Sequence, residues 1–216
     1  MASIITHMAV SDKLYKRIKD RLPINYYDYM LGSIAPDISK TIGASKNISH
    51  FLDNSRGIPN VDNFLRKYAN TLTNSFNLGY FIHLYTDKLF YRDYYPLFIQ
   101  DDIFYSIVKC LDGSTIKLNL NDRREMLYND YTNLNAQIID EYQLILDIFY
   151  NEFILPQTNI TEIPVDKLNI LIDNTSTILQ NLNTEKDYII DISSIKSFID
   201  DTVEEIYTKL ISLDLI

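Results

Sequence analysis

The sequence predicts an all-α protein, a single-domain helical bundle over residues 1–216. Three observations carry that reading. Apolar residues recur at helical spacing through most of the chain. Only 5 glycines and 6 prolines punctuate 216 residues, which suits long helices better than a turn-rich β fold. A chain of this length, 46% hydrophobic and 23% charged, can bury one sizeable core.

Each element follows from local pattern. Val10, Leu14, Ile18 and Leu22 recur every four residues, and Pro23 closes this first helix. "INYYDYMLGSI" gives a short second helix before Pro36. Residues 34–59 carry Pro36, Gly43, Gly57 and Pro59 among Ser and Asn and read as a long loop, of a kind that is usually functional or disordered. From Asn60 to Tyr95 the pattern is one long helix or two abutting ones, ending near Pro96. "LDGSTIKLNLND" is ambiguous, because Ile116, Leu118 and Leu120 alternate and a short extended piece fits. Leu127, Tyr131, Leu134, Ile138, Tyr142, Ile145 and Phe149 mark a long helix. Val165, Leu168, Leu171, Thr175, Ile178 and Leu182 mark the next, and Ile195, Phe198, Thr202, Ile206, Leu210 and Leu213 the last. Residues 97–216 are expected to buttress the earlier helices, with "NLNTEKD" as an ordinary connection. No internal repeat or linker divides the chain.

Composition limits the chemistry. One cysteine, Cys110, excludes an intrachain disulfide and a thiolate-rich zinc site. The start of the chain lacks a basic leader followed by an apolar run, and no stretch reaches the ~18 apolar residues of a membrane span. A cytoplasmic, soluble protein is the expectation. A formal charge of −9 makes a broad nucleic-acid surface unsuitable, since phosphate neutralisation needs Lys and Arg gathered on one face.

The chain has three histidines, all early: His7, His50 and His83. His83 and Asp87, in "FIHLYTD", stand at i and i+4 and so leave one helix face about a turn apart. Alone, such a pair is usually structural. Asp37 in "APDISK" and His50 in "NISHFLD" open and close the 34–59 segment. Together Asp37, His50, His83 and Asp87 offer two imidazoles and two carboxylates, a set suited to zinc or a similar divalent ion. His7 lies in "IITHMAV", near the start of the first helix.

The ordered set "TH", "LGSIAPD", "SHF" and "GYFIHLYTD" resembles the zinc-dependent phospholipase C family, which shares its fold with fungal single-strand-specific nucleases. The resemblance covers roughly the first 95 residues. It implies an all-α fold of the phospholipase C and single-strand nuclease type, holding up to three zinc ions. On it, Asp37, His50, His83 and Asp87 match the ligands of one zinc, with Asp87 bridging to a second ion that His7 also binds. Secreted relatives complete that second site with the amine and carbonyl of an N-terminal tryptophan. This chain has no Trp, but removal of an initiator Met would leave Ala2 at the same distance from His7. The third site departs from the pattern. Asp93 stands where the family has a histidine, and Asp130 with Asn133 are the substitutes on a later helix. Such an oxygen-only site would prefer Mg, Mn or Ca, or the site is lost.

The implied activity is zinc-dependent phosphoester hydrolysis of phospholipase C type, a phosphodiesterase reaction using a metal-activated water, with Asp37 as the candidate general base. The expected partner is a small phosphorylated molecule or a lipid head group. Tyr26, Tyr27, Tyr29, Tyr91, Tyr94 and Tyr95 fit either an apolar rim or the core. Lys40, Lys46, Arg56, Arg66 and Lys67 read as solvated charges or as contacts to a substrate phosphate. A metal-binding but inactive relative, with one ion stapling residues 34–59, is the alternative. A helical hydrolase with paired His-Asp ligands ranks last, since no "HD" dipeptide occurs.

Overall fold

A computed structural model describes residues 2–53, 57–180, 182 and 186–216. Arg56 and most of the "NLNTEKD" turn lie outside the described residues. The protein is mostly helical, with helices α1 (Ile4–Ile18), α2 (Tyr26–Ile34), α3 (Ile38–Thr41), α4 (Lys46–Ser49), α5 (Val61–Tyr68) and α6 (Ser75–Leu89) in the first half. Asn and Ser side chains start most of them. Ser3, Asn25, Ser45, Asn60 and Asn74 each accept a backbone N–H of the first turn of the helix that follows. The Asn and Ser content that reads as loop is therefore partly helix punctuation. Residues 34–59 are accordingly not one long loop. They hold a 3₁₀ turn (Ala35–Asp37), α3, α4 and a bridge between Leu52 and Pro59.

After α6 the chain runs through a π-helical turn, Phe90–Tyr94, into a three-stranded antiparallel sheet. Its strands are β1 (Ile99–Asp101), β2 (Tyr105–Lys109) and β3 (Thr115–Asn119), in the order β1-β2-β3. Val108 is the hub of the register, facing Ile99 on one side and Ile116 on the other. This sheet corrects the all-α expectation: of its strands, only the third coincides with the ambiguous extended piece around Ile116 and Leu118. Gly113, at φ 84°, makes the turn between β2 and β3 in a left-handed conformation that its neighbours could not adopt cheaply.

The second half holds α7 (Leu120–Tyr142), α8 (Leu168–Leu179) and α9 (Ile192–Ser212). Helix α7 stops earlier than its apolar period implies, because Gln143 turns left-handed at φ 49°; Ile145 is then 54% exposed. The buried apolar residues form one cluster from Ala2 to Leu210. No helix among the described residues is long and apolar enough to cross a membrane.

A close approach of α2 and α6 positions the site. At Gly32 of α2, an added Cβ would lie 2.1 Å from the Phe76 carbonyl oxygen. At Gly79 of α6, it would lie 2.1 Å from that of Tyr29. Neither contact is with a flexible side chain, so any larger residue would force the backbones apart, at about 1–3 kcal/mol. Gly32 precedes Ser33, and Gly79 lies one turn before His83. The contact thereby sets where the His83 ring meets its neighbour.

Candidate metal centre

Five side chains of ligand type converge from four segments. His7 comes from α1, Asp37 from the 3₁₀ turn after α2, His50 from the end of α4, and His83 and Asp87 from α6. All five are buried, none more than 5% exposed. Ligand atoms of His7, His83 and Asp87 lie within 4.8 Å of one another, and so do those of Asp37, His50 and His83.

The Asp87 carboxylate divides the cluster. Its Oδ2 is 3.8 Å from the Nε2 atoms of both His50 and His83. Its Oδ1 is 3.3 Å from His7 Nε2 and accepts the Ala2 N–H at 3.0 Å. Asp37 Oδ1 faces His50 Nε2 at 3.5 Å. The Nε2 atoms of His50 and His83 are 3.2 Å apart. Two ring nitrogens aimed at one point share a proton poorly but share a cation well.

The other ring nitrogens explain that aim. His83 Nδ1 is 2.8 Å from the Ser33 carbonyl oxygen, which can only accept, so the proton sits on Nδ1 and Nε2 keeps its lone pair. His50 Nδ1 is 2.9 Å from Ser49 Oγ. Ser49 donates its own proton to Ser39 Oγ at 3.0 Å, and Ser39 donates to the Pro36 carbonyl at 3.2 Å. The direction of that relay makes His50 Nδ1 the donor and bares Nε2 as well. Ser33, Ser39 and Ser49 were missed as functional residues. The serine before the histidine in "NISH" was the available signal for one of them.

Electrostatics follow from burial and close charges. Burial alone would raise the Asp37 pKa, but the close approach of the His50 and His83 rings and of the Lys46 ammonium holds it well below the ordinary carboxylate range. Asp87 is held low against the same burial by His7 and His83. His83 is pushed well below the ordinary histidine value, first by burial and then by His7, whose ring stacks on it with centroids 3.8 Å apart. Two ionised carboxylates beside a neutral imidazole leave a negative, water-poor site.

Whether a cation fits is decided by atoms left without partners. Both ring nitrogens of His7 and Asp37 Oδ1 are buried with no hydrogen-bond partner. Buried polar atoms are normally satisfied, and an orphan costs roughly 1–3 kcal/mol. A divalent ion bound by imidazole and carboxylate would take one His7 nitrogen and Asp37 Oδ1, so the donor set fits zinc.

The two residues expected at a third site do not join the cluster. Asp93 is exposed on the π-helical turn, where Arg92 Nε lies 2.7 Å from its Oδ1. Asp130 on α7 is buried, but both of its oxygens are engaged: Oδ1 accepts the Tyr188 N–H at 2.9 Å, and Oδ2 those of Ile189 and Ile190 at 2.6 and 2.9 Å. Asn133 reaches Asp187 instead. The polar stripe of α7 clasps the segment leading into α9.

Of the six tyrosines, Tyr29 and Tyr94 are core residues and Tyr26 is tied to Asp12 at 2.8 Å. Tyr91 and Tyr95 line a cavity with Lys40 and Lys46. Lys67 is paired with Glu162.

Residues 6–89 match the family model described as zinc dependent phospholipase C. That span contains His7, Asp37, His50, His83 and Asp87 and ends before Asp93 and Asp130. No characterised protein and no solved structure matches the chain.

Proposed function

We propose, from a chain whose residues 6–89 match the zinc dependent phospholipase C family, that the protein is a zinc-dependent phosphodiester hydrolase. Its substrate would be a small phosphorylated molecule or a lipid head group. The observation that supports this is the convergence of three histidines and two carboxylates, with the Nε2 lone pairs of His50 and His83 bared and Asp37 Oδ1 lacking a donor. Asp37, His50, His83 and Asp87 Oδ2 would hold one ion, and His7 with Asp87 Oδ1 a second. Bound zinc supplies Lewis-acid polarisation of a phosphate oxygen and lowers the pKa of water toward neutrality.

The chain's own residues do the rest. Ser33 and the Ser49–Ser39 relay hold the imidazoles in the tautomer that can bind. The apolar packing around α2 and α6 excludes water and strengthens each charge interaction. Asp37 Oδ1 is the acceptor available to orient a water as general base. Its depressed pKa suits orientation and ligation better than prolonged retention of a proton.

One observation favours the second reading, a metal-binding relative without activity. Asp93 and Asp130, the substitutes for a third site, are both engaged elsewhere.

Elemental analysis of untagged protein together with phosphodiester hydrolysis separates the readings. Two zinc ions per chain with turnover are expected. His83→Ala should lose metal and turnover while circular dichroism keeps its helical signal. Unchanged metal content in that variant would sink the assignment. One ion without turnover supports the inactive relative.

A further inference from the structure

A cavity of about 370 Å3 lies beside the metal centre, between α3, α4, the π-helical turn and α7. Its walls include Lys40, Lys46, Arg123 and Arg124, with a single carboxylate, Asp101. This reverses the balance of a chain with 29 acidic and 20 basic residues. The cavity and the candidate centre meet at Lys46, whose Nζ is 3.8 Å from Asp37 Oδ1.

Not all four cations are equally committed. Arg123 is held by Asp101 at 3.5 Å and Ser106 at 3.3 Å, and Lys46 leans on Asp37. Lys40 and Arg124 have no carboxylate partner among the described residues. Both gather on Tyr128: Lys40 Nζ donates to its hydroxyl at 2.7 Å, and the Arg124 guanidinium lies 5.4 Å from its ring centre. Burial would raise the Tyr128 pKa, yet the bond from Lys40 and the charges of Lys40, Arg124 and Lys46 bring it below the ordinary phenol value. The cavity is electropositive around the Tyr128 hydroxyl.

We infer that this cavity binds a second anionic group of the substrate, a phosphate monoester or carboxylate, next to the scissile phosphodiester. The substrate assignment rests on the hydrolase reading; the anion site does not. Arg124 offers a planar fork of donors and Lys40 a point charge, the pairing that recognises such groups. A quaternary ammonium head group would need carboxylates or an open aromatic cage. Here Asp101 is already taken by Arg123 and by the Tyr95 hydroxyl at 2.8 Å, and cations occupy the neighbourhood of the Tyr128 ring.

The first experiment removes metal. Inorganic phosphate is titrated by calorimetry into chelator-treated protein and into the Lys40→Gln/Arg124→Gln variant. Both side chains are exposed, so the fold should stand, and circular dichroism checks it. Saturable binding, weakened about tenfold or more in the variant, is expected from loss of charged hydrogen bonds. No binding, or equal affinity in both proteins, overturns the inference.

The second experiment uses zinc-loaded protein. A soluble phosphodiester bearing a terminal phosphomonoester should be hydrolysed with kcat/KM about tenfold above a neutral analogue, a preference the variant loses. Sedimentation with phosphatidylcholine vesicles, with and without phosphatidic acid, identifies the source. Binding only to the anionic vesicles assigns the group to a lipid, and a response only to the soluble ester assigns it to a free molecule. Turnover without preference overturns the inference. Phosphate binding without turnover of any diester fails the hydrolase reading alone and keeps the anion site.

Discussion

Asp37 and Asp87 in the first half of the chain and Asp130 in the second are all buried carboxylates, 5%, 1% and 0% exposed. Their surroundings are opposite. Asp130 lies among main-chain N–H groups that fill both oxygens. Asp37 and Asp87 lie among the imidazoles of His7, His50 and His83. Every buried side-chain atom without a partner among the described residues belongs to residues 7–87: His7, Ser11, Asp37 and Thr86. Burial therefore does not mark a metal ligand. What marks the centre is that open atoms of ligand type, both ring nitrogens of His7 and Asp37 Oδ1, gather beside His50, His83 and Asp87.

The comparison breaks most visibly at Asp130. Asp130→Ala should cost about 3 kcal/mol of stability, because the amides of Tyr188, Ile189 and Ile190, the last two buried, lose their acceptor. Zinc content should not change. For a chain of this size that is a fall of about 6–12 °C in the melting temperature, read by calorimetry on the chelated protein. A variant that melted normally but lost metal would return Asp130 to the ligand set.

The sequence made the ligand side of this contrast readable and hid the other side. His83 and Asp87 share a helix face by spacing alone, and with three histidines in the chain their partners were few. Asp130 and Asn133 offered the same kind of pattern on α7. Nothing local tells that three amides some 60 residues later fill those oxygens. The sheet was half hidden for a related reason. Only Ser106 and Val108 of β2 are buried, so its alternation is short, yet "DG" at Asp112-Gly113 is a hairpin signal that could have paired β2 with β3. The Gly32–Gly79 approach was not legible at all, because each glycine needs the other helix to explain it.

A smaller effect tests whether the serine relay belongs to the centre or only to the packing. Ser49→Ala leaves His50 Nδ1 without its acceptor and frees the ring to change tautomer. Zinc affinity should fall about 10–100-fold, as is usual for the partner behind a ligating histidine, with little change in the melting temperature of chelated protein. Competition with a chromogenic chelator measures it. Equal affinity in wild type and variant would place Ser49 in the packing alone.

The smallest effect concerns protons, and its sign separates the two halves again. In chelated protein His83 is held below the ordinary histidine value and Asp37 and Asp87 below the ordinary carboxylate value. The unfolded chain therefore binds more protons than the folded one, so stability falls with acid. His83 contributes first, as the pH drops below about 6.5 and its unfolded form charges. The carboxylates follow below about pH 4. Asp130 works the other way: burial raises its pKa despite the three amides, so its contribution grows on acidification. Between pH 7 and 5 the His83 contribution runs at up to about 1.4 kcal/mol per pH unit below that value. The chelated protein should lose several degrees of melting temperature across that interval, and His83→Gln should flatten the slope. A wild-type profile already flat there would mean that His83 is not held neutral, and the bared Nε2 on which the first ion's site depends would lose its support.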